Sequence, residues 1–140
     1  MLKNSFILSI ASASLASVVI SPAMAAPADF VGTWVNTNPN TGGITRVVIT
    51  SAGGNKLNIE AFGKCQPSDC KWGKTNLVTY GNSVQDANHR YGTATYNPGF
   101  AETLLTLDLR NKNALTVQNF TRFTDNSGRQ NYSLIENFKR

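Results

Sequence analysis

From residue 26 onward the chain never sustains the three-and-four spacing of an amphipathic helix. Short runs rich in Val, Ile, Thr, Tyr and Phe alternate instead with clusters of Gly, Asn, Pro and Asp, which is the pattern of a strand meander. Eight runs read as strands: 31–36, 44–51, 56–63, 75–80, 90–96, 101–109, 114–123 and 130–138. The separators carry turn chemistry, among them Asn38 to Gly43, Ala52 to Asn55, Asn97-Pro98-Gly99 and Asp125 to Gly128. Asn and Gly tolerate positive φ there, and Pro presets φ at the corner. Period-2 alternation is clearest late in the chain. Leu105, Leu107 and Leu109 share one face, as do Leu115 and Val117. Tyr132, Leu134 and Phe138 share another with Glu136. Each strand therefore has one dry face and one wetter face. The expectation is an all-β domain, an eight-stranded antiparallel up-and-down barrel, with a β-sandwich as the alternative. Closure removes the sheet edges, and eight strands leave an interior that is either filled or holds one small ligand.

Residues 1–25 read as a signal peptide. Lys3 supplies the positive start, Phe6 to Ile20 is an apolar and small-residue run, and Pro22 precedes Ala23-Met24-Ala25, which fits the cleavage rule. The run is too short and too rich in Ser for a membrane anchor. The expected location is the periplasm or the exterior, with cleavage after Ala25 and one domain over 26–140. That domain holds 12 basic and 8 acidic residues, a charge of +4. The charges are spread out, with only Lys64, Lys71 and Lys74 close together, so the dense basic stripe of a nucleic-acid binder is missing. Most of the runs hold six to eight residues, and Lys, Arg and Glu interrupt both faces, which also argues against an outer-membrane barrel and a membrane-spanning role.

Cys65 and Cys70 are the two cysteines. In an exported protein they point to a disulfide closing a small loop between the third and fourth strands, worth about 2 kcal/mol in the loop-entropy model. A zinc site would want about four Cys or His ligands; this chain offers two Cys and His89, so no metal or other cofactor is expected. Trp72 follows the second Cys, placed either to lid one end of the barrel or to serve as an aromatic contact surface.

No catalytic signature is present: no G-x-S-x-G, H-E-x-x-H, Walker-type or G-x-G-x-x-G run. His89 is the one histidine, in a segment that reads as a turn. Glu60, Glu102, Asp108 and Glu136 would more ordinarily pair with Arg across a sheet than with each other. Asp125 to Gly128 lacks the alternating acids of a calcium loop and reads as a hairpin turn. Asn119-Phe120-Thr121 and Asn131-Tyr132-Ser133 match the glycosylation triplet. What remains is recognition. Aromatic side chains with amides suit a site where a few polar groups orient an apolar ligand. The residues marked for such a site are Trp34, Asn36, Trp72, Tyr80, Tyr91 and Tyr96, with no catalytic residue. The expected function is a non-enzymatic binding protein taking a small apolar or amphipathic ligand in the barrel lumen. The alternative is a protein-interaction module, such as an inhibitor of an exported protease, acting through the 64–74 corner.

The opening of the domain, Phe30-Val31-Gly32-Thr33-Trp34-Val35-Asn36, resembles the calycin group of lipocalins and avidins through its G-x-W on the first strand. The resemblance implies that Trp34 packs at a closed end of the barrel, with Arg122 as a possible late-strand partner. G-x-W-x-N is closer to avidins and implies a place for Asn36 in the ligand pocket, although the later avidin Trp pattern has no counterpart here. The stretch Gly63 to Gly73, a G-K-C-x-P-x-D-C-x-W-G signature, is similar to uncharacterised small secreted bacterial barrel domains. That likeness implies a fold and an exported location and no particular reaction.

Overall fold

The computed structural model describes residues 11–16 and 26–140. The expected leader thus falls outside the described residues except for 11–16, which carry no secondary structure. A 3-10 turn, Pro27–Phe30, leads into eight strands: β1 (Gly32–Asn36), β2 (Ile44–Ser51), β3 (Leu57–Gly63), β4 (Cys70–Tyr80), β5 (Tyr91–Tyr96), β6 (Ala101–Asn111), β7 (Ala114–Phe123) and β8 (Tyr132–Lys139). Each pairs antiparallel with the next, and β8 returns to β1, so the sheet is a closed up-and-down barrel. The sandwich alternative is excluded by that last pairing. The main departure in strand bounds is β4, which starts five residues before the expected 75 and carries Trp72 on a strand instead of a corner.

The inward rows are the apolar ones. Val47 and Ile49, Leu57 and Ile59, Leu105 and Leu107, and Leu115 and Val117 are all buried in one cluster. β6 and β7 show the alternation most cleanly, with every second residue buried from Ala101 to Leu109 and from Leu115 to Thr121. The intervening outward residues carry ion pairs, Arg90 with Asp108 at 2.7 Å and Arg122 with Glu102.

The two ends differ. The 3-10 turn, the loops 52–56, 81–90 and 112–113, and Arg140 gather at one end. Phe30 and Trp34, both 0% exposed, plug it. The Trp34 Nε1–H donates to the Phe30 carbonyl at 2.9 Å. The Arg140 guanidinium lies 4.5 Å over the indole and donates to the Asp29 and Val31 carbonyls at 2.9 and 2.8 Å. Arg122, the partner the resemblance suggested, instead sits outside against Glu102. Its parity on β7 is that of the outward row, two residues from exposed Phe120, so it cannot reach the barrel axis.

The other end is the mouth, where the loops 37–43, 64–69, 97–100 and 124–131 meet. β1 is short and pairs with β8 only at Val35–Lys139 and Asn36–Phe138. The mouth half of β8 therefore has β7 on one side and no ladder partner on the other. Leu134 faces inward by parity yet is 40% exposed for this reason.

Candidate functional site: the hollow mouth of the barrel

Toward the mouth the inward rows change from Leu and Ile to Thr, Tyr and Trp, and the barrel becomes hollow. A cavity of about 560 Å³ opens there. Its walls are Trp72, Tyr96, Phe100, Phe123 and Tyr132, with Ala101, Thr103 and Thr121 between them and the Cys65–Cys70 bridge, Lys71 and Arg129 around it. The bridge spans a Cα–Cα distance of 5.4 Å and holds the 64–69 loop at the rim.

Tyr96 and Trp72 owe their positions to a bulge. Between the pairs Glu60–Lys74 and Phe62–Lys71, β4 carries one residue more than β3. Gly73 sits in that bulge at φ +91°, a left-handed value that favours glycine. The ladder opens here, and the Tyr96 hydroxyl reaches across to fill it. It accepts from the Ala61 N–H at 3.1 Å and lies 3.0 and 3.2 Å from the Gly73 and Ile59 carbonyls, to which it can donate. Burial in this position pushes the Tyr96 hydroxyl up to about 12. Trp72 packs edge-on against Tyr96, with ring centroids 5.6 Å apart at 87°. Its indole fits because residue 63 is glycine: a Cβ there would lie 2.7 Å from Nε1.

Arg129 folds from the 124–131 loop onto the mouth. Its guanidinium lies 4.1 Å from the Phe123 ring centroid and 5.6 Å from that of Phe100. Asp125 and Ser127 hold it there, at 2.7 and 3.0 Å. The Ser127 hydrogen bond, with help from Arg129, lowers the Asp125 carboxyl to about 2.

Inside, Thr103 and Thr121 join hydroxyls at 2.9 Å across β6 and β7. One inward step deeper on β7 is Asn119, 2% exposed, whose Oδ1 has no hydrogen-bond partner. A buried amide oxygen without a donor is costly and calls for an explanation. Its burial also removes Asn119 as a glycan acceptor in the folded protein, whereas Asn131 is exposed.

Of the residues marked from the sequence, Trp72 and Tyr96 come together at this cavity. The other four do not reach it. Trp34 plugs the opposite end. Asn36 is built into a latch: its Nδ2 donates to the Ile44 carbonyl at 2.8 Å and to Glu136 Oε1 at 2.9 Å, and its Oδ1 accepts from the Asn38 N–H. Glu136 also accepts from the Thr41 hydroxyl and, at 3.0 Å, from the Ile44 N–H, so it ties the 37–43 loop to the barrel. Tyr80 and Tyr91 face each other across β4 and β5 on the outer wall, both exposed. Their parity opposite inward Leu77 and Gly92 was the signal for that placement.

The residues that carry acid–base chemistry elsewhere are engaged separately. His89 Nδ1 meets the Thr79 hydroxyl at 2.7 Å, and the two oxygens of the nearby Asp86 accept from the Asn82 and Asn88 N–H groups, each at 2.9 Å. Those backbone hydrogen bonds lower the Asp86 carboxyl. Asp108 accepts from Arg90 and Arg110, and Glu102 from Arg122. Among the described residues no group of three or more His, Cys, Asp or Glu gathers in metal-binding range. No helix of the described residues is long and apolar enough to cross a membrane. Comparison with family models, curated proteins and solved structures finds no match to this chain.

Proposed function

We propose that the protein is an exported, non-enzymatic barrel of calycin type that takes a small apolar or amphipathic ligand into its mouth. The observation that carries this reading is the division of one barrel into a packed half and a hollow half. Behind Phe30 and Trp34 the interior is filled, while in front of Thr103 and Thr121 a cavity of about 560 Å³ is walled by aromatic rings. That volume and that lining, apolar with a few polar groups, are those of small-molecule sites. The Arg140 stack on Trp34 supports the calycin kinship, and the separate engagement of His89, Asp86, Asp108 and Glu102 supports a binding role over a hydrolytic one. The disulfide supports an exported location.

The test is binding of 1-anilinonaphthalene-8-sulfonate by the purified domain, followed by its own fluorescence and by quenching of Trp72. Saturable one-to-one binding that disappears in Thr103→Phe, which fills the cavity, is expected. Binding that is indifferent to Thr103→Phe would remove the lumen from consideration. Capture of an exported protease by the wild type and its loss in Trp72→Ala would instead favour the interaction-module reading.

A further inference from the structure

We propose that the outer wall of β6 and β7 is a dimer interface, and that its occupant is a second copy of this chain, related by a two-fold axis running along the strands between β6 and β7. This goes beyond the ligand reading and does not depend on it, because the wall lies on the outside of the barrel and leaves the mouth open.

The exposed apolar surface of the strands is one-sided. Leu104, Phe120 and Ile135 point outward from β6, β7 and β8 and are exposed, and Leu104 and Phe120 stand directly opposite each other in the ladder. The outward rows of β2 and β3 expose no large hydrophobic side chain. Contiguous apolar side chains on a surface mark an interaction site, whereas scattered ones do not. Charge is divided in the same way. Glu102, Asp108, Arg110 and Arg122, the charged residues of β5 to β7, are all held in ion pairs. Arg46, Glu60, Lys71 and Lys74 on β2 to β4 form none among the described residues. A wall whose charges are already matched buries no lone charge on docking.

The choice of a second copy follows from register. The outward pairs across β6 and β7 are Glu102–Arg122, Leu104–Phe120 and Thr106–Gln118. A two-fold axis parallel to these strands and midway between them lays β6 of one copy over β7 of the other with the rows unshifted. Each pairing within the wall is then repeated across the interface. Leu104 lies over the second copy's Phe120, Thr106 over its Gln118, and Glu102 over its Arg122. Acid meets base, aliphatic meets aromatic and hydroxyl meets amide, so the wall is complementary to itself, as a two-fold interface requires.

The experiment is sedimentation equilibrium of the full domain at about 100 µM, where a complex of micromolar affinity is mostly formed. A dimer is expected. Leu104→Asp should halve the mass to that of the monomer, while Val84→Asp, at an exposed apolar site on the 81–90 loop, should leave it unchanged. Glu102→Arg sets arginine over arginine and Arg122→Glu sets acid over acid, so each protein alone should be monomeric. An equimolar mixture of the two restores opposite charges at both positions and should dimerise again, a result that loss of folding in either variant would not produce. A monomeric wild type at this concentration overturns the proposal. So does persistence of the dimer in Leu104→Asp or in either charge variant, its loss in Val84→Asp, or a mixture of the charge variants that stays monomeric.

Discussion

At the scale of single residues, the interior is decided by a few polar side chains in inward positions. Glu136 accepts three hydrogen bonds that close the 37–43 loop on the barrel. Glu136→Ala strands the Ile44 N–H and removes one of the two acceptors of the Asn36 Nδ2, and should cost about 2–3 kcal/mol, measurable as a lower urea midpoint with an unchanged slope. Tyr96→Phe keeps the ring and deletes the hydroxyl that fills the β4 bulge, so about 1–3 kcal/mol should be lost. The raised Tyr96 value has a definite sign. The folded state favours the neutral hydroxyl, so its contribution is complete below pH 10 and is lost as pH rises toward about 12; the Tyr96→Phe protein should lack that part of the alkaline decline. Asp125 works in the opposite direction. Its folded value of about 2 lies below the ordinary 3.8, so its contribution is present above pH 4 and fades as pH falls through 2. Asp125→Asn should show a stability deficit near neutrality that narrows over that acid range. The inward place of Asn119 was legible from parity, since Val117, Asn119 and Thr121 alternate with Gln118 and Phe120. Only the tertiary structure reveals that its amide oxygen lacks a donor.

At the scale of elements, strand positions followed local pattern closely and their ends did not. β2 and β7 have the bounds expected from alternation and turn residues: in β7 the inward and outward rows are unmixed, and in β2 the turn residues on either side fix the ends although the register shifts between Ile44 and Arg46. β4 begins at Cys70, five residues before the run of alternation at 75–80, because the disulfide corner is itself drawn into the strand. The extra residue at Gly73 shifts the parity there, and such a bulge is stabilised by a hydroxyl from β5 that a local reading does not see. The corner is correspondingly specific. Gly63→Val would drive a side chain into the Trp72 indole, and should expel it from its place against Tyr96. A red-shifted Trp emission and a lower thermal midpoint are expected, with Gly63→Ala intermediate. Replacing both Cys65 and Cys70 by Ser should cost about 2 kcal/mol, the loop-entropy value for so short a closure, read from chemical denaturation under oxidising conditions.

At the scale of the whole molecule, the closed circuit of pairings lets one end be solid and the other open. Trp34→Ala removes the plug at the packed end together with the surface on which Arg140 rests. A loss of about 3–5 kcal/mol is expected, visible in equilibrium unfolding. Ligand affinity at the mouth should change little in the protein that remains folded, because the filled half of the barrel separates the two ends. Fold class, strand number, strand order and the pairing of Cys65 with Cys70 were all present in the one-dimensional pattern. Period-2 hydrophobicity, turn residues and short connections act between near neighbours and leave few ways to arrange eight strands. Which aromatic residues face a cavity was decided only by closure. Tyr80 and Tyr96 are the same residue type at strand ends, yet a bulge and the parity of their strands send one to solvent and the other inward against the β4 bulge. The partner of Trp34 was likewise a tertiary choice, because Arg140 reaches it only once the last strand has returned beside the first. Local chemistry determines that this chain makes a ring of strands; the long-range packing of side chains from opposite walls determines where that ring is full and where it stays hollow.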